Sequence, residues 1–182
     1  MSTSGHRPRV VLVGPMGAGK TTVAEILAER WGTTVRDTDR DIEAAEGRPI
    51  PAVFIDEGEA CFRSREREAV AAGLAEHSGV LALGGGAVLD ESTQLLLAGH
   101  VVVFLNVGFA DAVKRVGLGA GRPMLLGNVR SQVKALLDAR LPLYTAVASV
   151  TVQTDGRTPE EVADEVVAAV QSLEPQDAEQ NE

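Results

Sequence analysis

Short apolar runs separated by longer stretches of helical periodicity dominate the chain. Arg9–Val13 is a β-branched run that stops at Gly14, and from Lys20 to Trp31 the apolar residues Val23, Ile26, Leu27 and Trp31 fall at helical spacing. Comparable short runs recur at Thr34–Val35, Val80–Leu83, Val101–Leu105 and Ser149–Val152, set among helical patterns. Five strands alternating with helices predict an α/β fold, a five-stranded parallel sheet flanked by helices. Asp39–Glu46 reads as a short helix closed by Gly47, and Pro51–Glu57 and Glu59–Glu76 as two helices split at Gly58. The last helix carries the clearest boundary signal. Thr158 is its N-cap, Pro159 stands at the first helical position, and Glu161 completes a capping box before the stripe Val162, Val166, Val167 and Val170.

One stretch departs from this alternation. Gly117, Gly119, Gly121 and Gly127 surround Arg122-Pro123, and so much glycine carries a large ordering entropy. Either this is a solvated loop or it is a mobile lid, about 117–127, that closes over a ligand. Beyond Pro175 the acidic, apolar-poor tail, 175–182, is expected to be disordered, leaving 1–174 as a single domain. With 182 residues, 45% of them apolar, one domain has enough core to carry a complete site.

Charge narrows the partners. A net charge of -9 argues against a nucleic-acid surface, so an anionic ligand has to meet a local cluster of positive charge. The single cysteine, Cys61, cannot form an intramolecular disulfide, and Met1–Arg9 is polar with no long apolar stretch after it. A cytoplasmic protein with no membrane contact, working as a monomer on small molecules, is the expectation. His6, His77 and His100 stand far apart without metal-ligand spacing, so no histidine metal site is expected.

The most specific motif is Gly14-Pro15-Met16-Gly17-Ala18-Gly19-Lys20-Thr21, a full G-x-x-x-x-G-K-[ST] between a strand and a helix. Such a loop turns backbone N–H groups inward around phosphate oxygens, with the helix N-terminus adding partial positive charge. Gly17, Ala18, Gly19, Lys20, Thr21 and Thr22 are therefore candidate ATP-binding residues. Lys20 would bridge the β- and γ-phosphates, and the Thr21 hydroxyl would ligate Mg²⁺. The strand Val80–Leu83 ends in Gly84-Gly85-Gly86 and offers no carboxylate to the metal. Asp37 and Asp39 are the alternatives, one for Mg²⁺ and the other for the acceptor, although Asp39 also reads as the N-cap of the helix after it.

Acceptor candidates are less specific on their own. Glu59, Arg63, Glu66 and Arg67 lie at helical spacing in a run that includes Arg65 and Glu68, a pattern that usually marks a solvated face. Arg63 stands apart because Phe62 precedes it on a helix facing the sheet. Gly84-Gly85-Gly86 ends a central strand, where open α/β sheets bind ligands. Arg140, in Arg140-Leu141-Pro142-Leu143-Tyr144, reads as the end of a helix, where a cation is favourable for dipole reasons alone.

Taken together, Asp37-Thr38-Asp39, Phe62-Arg63-Ser64-Arg65-Glu66, Gly84-Gly85-Gly86-Ala87-Val88, and Arg122-Pro123-Met124-Leu125 followed by Arg140 resemble the shikimate kinase family, over nearly the whole chain. The resemblance implies a P-loop, nucleoside-monophosphate-kinase-like fold. It also implies transfer of the ATP γ-phosphoryl group to the 3-hydroxyl of shikimate, in aromatic amino acid biosynthesis. Residue by residue, it implies that Arg63, Arg140, Gly84, Gly85 and Gly86 hold shikimate, with Asp39 at its hydroxyls and Glu66 orienting Arg63. Asp37 would reach Mg²⁺ through water, Arg122 would swing to the phosphates on the lid, and Arg115 would lie along adenine. Lys20, Asp39 and Arg122 are then the catalytic group. Ala82 departs from the family, standing where relatives often carry Ser or Thr near the metal waters. A gluconate kinase with the same phosphate machinery is the nearest rival, and the glycine triplet and Asp37-Thr38-Asp39 count against it.

Overall fold

A computed structural model describes residues 6–117 and 129–174. Five strands, β1 (Val10–Val13), β2 (Val35–Asp37), β3 (Val80–Ala82), β4 (Val102–Asn106) and β5 (Val150–Gln153), form one parallel sheet in the order β2-β3-β1-β4-β5. The helices are α1 (Lys20–Trp31), α2 (Thr38–Glu46), α3 (Ile50–Glu76), α4 (Glu91–Leu97), α5 (Phe109–Gly117), α6 (Val129–Val147) and α7 (Pro159–Leu173), with a 3₁₀ turn at Ala87–Leu89. The expected alternation of strand and helix is observed. Because β1 lies between β3 and β4, the strand order reverses there, and a crevice opens beyond the carboxyl ends of β1 and β3.

Period-two side-chain alternation divides the core. Val10 and Leu12 face the layer of α1 and α7, packing with Leu27, Val162, Val166 and Val170. Val11 and Val13 face the other layer, where Val70 and Leu74 of α3, Leu97 of α4 and Tyr144 of α6 cover the sheet. Each fully buried valine or leucine contributes roughly 1.5–3 kcal/mol by leaving water, so the two layers hold the sheet rigidly beneath the crevice. A third cluster, Ile42, Val53 and Phe62, ties α2 to the first part of α3.

The capping box predicted for α7 is present, with Glu161 N–H donating to Thr158 Oγ1 at 3.2 Å and Thr158 N–H to Glu161 Oε2 at 3.1 Å. The break at Gly58 is also real, though it is a kink: Gly58 takes φ 83°, ψ 170° inside the continuous span of α3. Two expectations fail. Arg140 is not at a helix end, because α6 continues through Pro142 to Val147. Tyr144 and Val147 pack on the sheet beyond the proline, and this burial outweighs the hydrogen bond that Pro142 cannot donate. The N-cap of α2 is Asp37 rather than Asp39. The strand runs directly into the helix, and Asp37 Oδ1 accepts from the N–H groups of Asp39 at 2.9 Å and Arg40 at 3.4 Å. The segment 118–127 of the expected lid, Arg122 with it, and the tail lie outside the described residues. Arg115 falls within α5, but its side chain is not among those described.

Candidate functional site

The phosphate loop leaves β1 at Gly14 and enters α1 at Lys20, which sets the N-terminus of α1 at the crevice, where unpaired helix N–H groups suit an anion. Lys20 is folded back on this loop: its ammonium donates to the carbonyls of Gly14 at 2.5 Å and Pro15 at 2.9 Å. Burial lowers its pKa to about 8, against the pull of Asp39 and Asp37, which favour the charged form. An anion arriving in the loop would therefore meet a cation already desolvated. Gly17, Gly19, Lys20, Thr21 and Thr22 line a cavity of about 290 Å³ whose far wall carries Asp37 and Asp39. Ala18 is buried beneath it.

The two aspartates have different surroundings. Asp37 is committed through Oδ1 to capping α2, and its strand partner is Ala82, which is buried and brings no hydroxyl to the site. Asp39, in the first turn of α2, turns its carboxylate to the glycine triplet. A Cβ added to Gly84 would lie 2.5 Å from Asp39 Oδ1, so only glycine permits this approach. Thr38, fully buried between the aspartates, accepts from Gly84 N–H at 3.2 Å and ties α2 to the end of β3. Burial raises Asp39 to about 6, helped by Asp37 and Glu66 and opposed by Lys20.

Beside this lies a second cavity, of about 320 Å³, reached past Met16, Asp39 and Gly85, which line both. Its polar wall is made of Arg63, Glu66 and Arg140, with Gly85 and Gly86 at the floor. Glu66 is 3% exposed and pairs with Arg63 at 2.7 Å. Burial pushes the Glu66 carboxyl up, and Arg63 pulls it back. The Arg63 guanidinium also stands 5.3 Å from the ring centre of Phe62 and 5.9 Å from that of Phe54, and it occupies the space a Gly86 side chain would need. Arg140 Nε is buried with no hydrogen-bond partner among the described residues. The cavity thus holds two guanidiniums, one of them only partly satisfied, which suits a carboxylate. The run around Arg63 is not a plain solvated face. Arg65 pairs with Glu46 at 2.6 Å and Arg67 with Asp90 at 2.8 Å, binding α3 to α2 and to the cap of α4.

Several lining residues carry no sequence signal for this role. Phe54, Val133, Leu136 and Leu137 form the apolar wall of the acceptor cavity, and only their approach in space reveals it. A third cavity, of about 310 Å³, lies on the other side of the phosphate loop between Gly17–Thr22 and the loop after β5, lined there by Thr154, Arg157 and Pro159. Its position next to the helix α1 N-terminus would suit a base attached to the phosphates.

Comparison with known proteins places the chain in a family. The family model described as Shikimate kinase matches residues 16–171. A shikimate kinase of Salinispora arenicola is 63% identical over 161 residues, covering 88% of this chain and 96% of that protein. Among solved structures, a shikimate kinase from Acinetobacter baumannii in complex with shikimate superposes with a TM-score of 0.85 at 34% identity, covering 93% of this chain and 96% of that one. A gluconokinase from Sinorhizobium meliloti reaches a TM-score of 0.55 at 19% identity, with 93% of this chain and 94% of that one covered, which establishes a shared fold alone. With the family model spanning most of the chain and this relative matched almost end to end, the chain belongs to the shikimate kinase family.

Proposed function

We propose that this chain transfers the γ-phosphoryl group of ATP to the 3-hydroxyl of shikimate, giving shikimate 3-phosphate and ADP. The observation that carries the proposal is the joining of two cavities at Asp39 and Gly85: one built for phosphate around Lys20, the other built for a small carboxylate around Arg63 and Arg140. ATP would lie with its phosphates in the loop Gly17–Thr22 and its base toward Thr154, Arg157 and Arg115. Shikimate would set its carboxylate on Arg63 and Arg140, and its ring against Phe54, Phe62 and the leucines of α6. That orientation turns its hydroxyls to Asp39.

Phosphoryl transfer through a loose transition state demands positioning and charge stabilisation more than proton abstraction. Lys20 would exchange the two loop carbonyls for phosphate oxygens and carry charge as it develops on the transferred group. Asp39, raised to about 6, is ionised at neutral pH and can hold the acceptor hydroxyl by accepting its hydrogen. Arg122 would add a second cation at the phosphates. The residues present fit Mg²⁺: Thr21 and Asp37 line one cavity without any all-protein cage of three or more ligands among the described residues, and Mg²⁺ favours a few protein oxygens plus waters and phosphates. Thr21 would hold it directly and Asp37 through water; when bound it neutralises β- and γ-phosphate charge. The proposed working unit is one domain, 1–174, acting as a monomer.

Incubation with ATP and shikimate followed by ³¹P NMR tests the reading. The expected product is a phosphate monoester on the 3-hydroxyl. Phosphate release without ester, or an ester at another hydroxyl, contradicts it.

A further inference from the structure

The segment Arg140-Leu141-Pro142-Leu143-Tyr144 contains a residue for which substrate contact gives no account. Tyr144 is 1% exposed and stacks on Phe104 with ring centres 4.9 Å apart. Apolar packing would be served as well by phenylalanine. Its hydroxyl, however, donates to the carbonyl of Gly85, fifty-nine positions away in the sequence, in the middle of the triplet whose Gly85 and Gly86 floor the acceptor cavity. Arg140, one helical turn earlier on α6, lies against the same hydroxyl. Gly85 in turn packs between the two sites: a Cβ placed there would lie 3.4 Å from Met16 N of the phosphate loop and 3.6 Å from Arg140 Nη1.

We propose that Tyr144 is a positioning residue for acceptor binding, whose hydroxyl fixes the Gly85 peptide and, with it, the seat of Arg140. The inference rests on the proposed reaction and deepens it. A glycine triplet has no side chains to hold its peptides, so each can rotate at little cost unless a partner fixes it. The Gly85 carbonyl is turned to Tyr144, which does not line the acceptor cavity, while Gly85, Gly86 and Arg140 do. A trans peptide directs its N–H opposite to its C=O, so fixing the Gly85 carbonyl also fixes the direction of the Gly86 N–H. Without the hydroxyl, the peptide and the guanidinium would each populate several orientations, and shikimate would bind only the competent fraction. The phosphate loop is held separately by β1 and α1, so the loss falls on the acceptor.

Tyr144 is the only tyrosine in the chain, which permits two independent tests. The Tyr144→Phe variant keeps the stack on Phe104 and removes only the hydroxyl. Its shikimate KM is expected to rise about five- to tenfold, the scale of one lost buried hydrogen bond, more than its kcat falls, with the ATP KM within twofold of wild type. A shikimate KM within twofold of wild type, or ATP and shikimate KM rising together, overturns the proposal. If the wild-type protein itself does not phosphorylate shikimate, the reading of the reaction fails instead, so the two failures are distinct. The second test needs no variant: biosynthetic 3-fluorotyrosine places one ¹⁹F label in the whole protein. Its resonance is expected to move on adding shikimate and to stay in place on adding ADP alone. A resonance unmoved by saturating shikimate overturns the proposal even if the phenylalanine variant does not fold.

Discussion

Replacing Asp39 by Asn should make the protein more stable and nearly inactive. The carboxyl of Asp39 is raised from 3.8 to about 6, first by burial and then by Asp37 and Glu66. At roughly 1.4 kcal/mol per unit, the ionised form would cost the native state up to about 3 kcal/mol. Asp39 is only half-buried, and solvent screening reduces this to about 1–2 kcal/mol. Losing a carboxylate from the first turn of α2 gives back about 0.3–1 kcal/mol of helix-dipole stabilisation. A net gain of about 1 kcal/mol remains, or about 2–4 °C in Tm for a chain of this size. The pH dependence has a definite sign. Between 3.8 and about 6 the folded state binds more protons than the unfolded one, so the wild-type protein loses stability as pH rises through that window. The Asn variant lacks this loss, so its advantage should be complete above pH 6 and absent below about pH 4. Urea denaturation of both proteins at pH 4 and pH 7 measures the gap, and kcat/KM for shikimate should fall by ~10²-fold or more. A variant less stable than wild type at pH 7, or a gap equal at both pH values, refutes the electrostatic account.

Lys20→Ala should remain folded while kcat falls by ~10³-fold or more, because the transferring phosphoryl loses its main protein cation; turnover within tenfold of wild type, measured in the same assay, rules that role out. Arg140→Ala should weaken shikimate binding by about 2–3 kcal/mol and leave ATP binding unchanged, which calorimetry with each ligand separately will show; equal losses for both would refute a role confined to the acceptor. Gly86→Ala should raise the shikimate KM by at least about tenfold, since the added methyl displaces the Arg63 guanidinium from Glu66; an unchanged KM would mean Arg63 does not need that position.

Signals confined to a few neighbouring residues were readable along the chain, and those set by distant partners were not. The capping box at Thr158 and the phosphate loop at Gly14–Thr21 depend on local spacing, and both stand as expected. The sheet and its five strands followed from short apolar runs, with β2 shifted toward Asp37 because Arg36 and Asp37 are polar and half-buried at the sheet edge. Asp39 reads as a cap from residue type alone, whereas the chain passes directly from β2 to α2 with Asp37 itself as the cap. Pro142 suggested a helix end, and only packing of Tyr144 on Phe104 explains why α6 continues past it. Arg63, Glu66, Asp39, Gly85 and Gly86 do meet at one cavity, while Gly84 lines the phosphate cavity beside it. The apolar wall of the acceptor cavity, from Phe54 to Leu137, spans elements whose approach no local pattern encodes.

The central claim is that the cavity around Arg63 and Arg140 selects shikimate as the acceptor for the phosphate loop. A coupled assay of ADP release, run with shikimate, gluconate, quinate and nucleoside monophosphates in turn at saturating ATP and Mg²⁺, addresses it directly. The account predicts rapid ADP release with shikimate, and with the others rates near the acceptor-free background. Turnover of gluconate or of a nucleoside monophosphate matching or exceeding that of shikimate would contradict it.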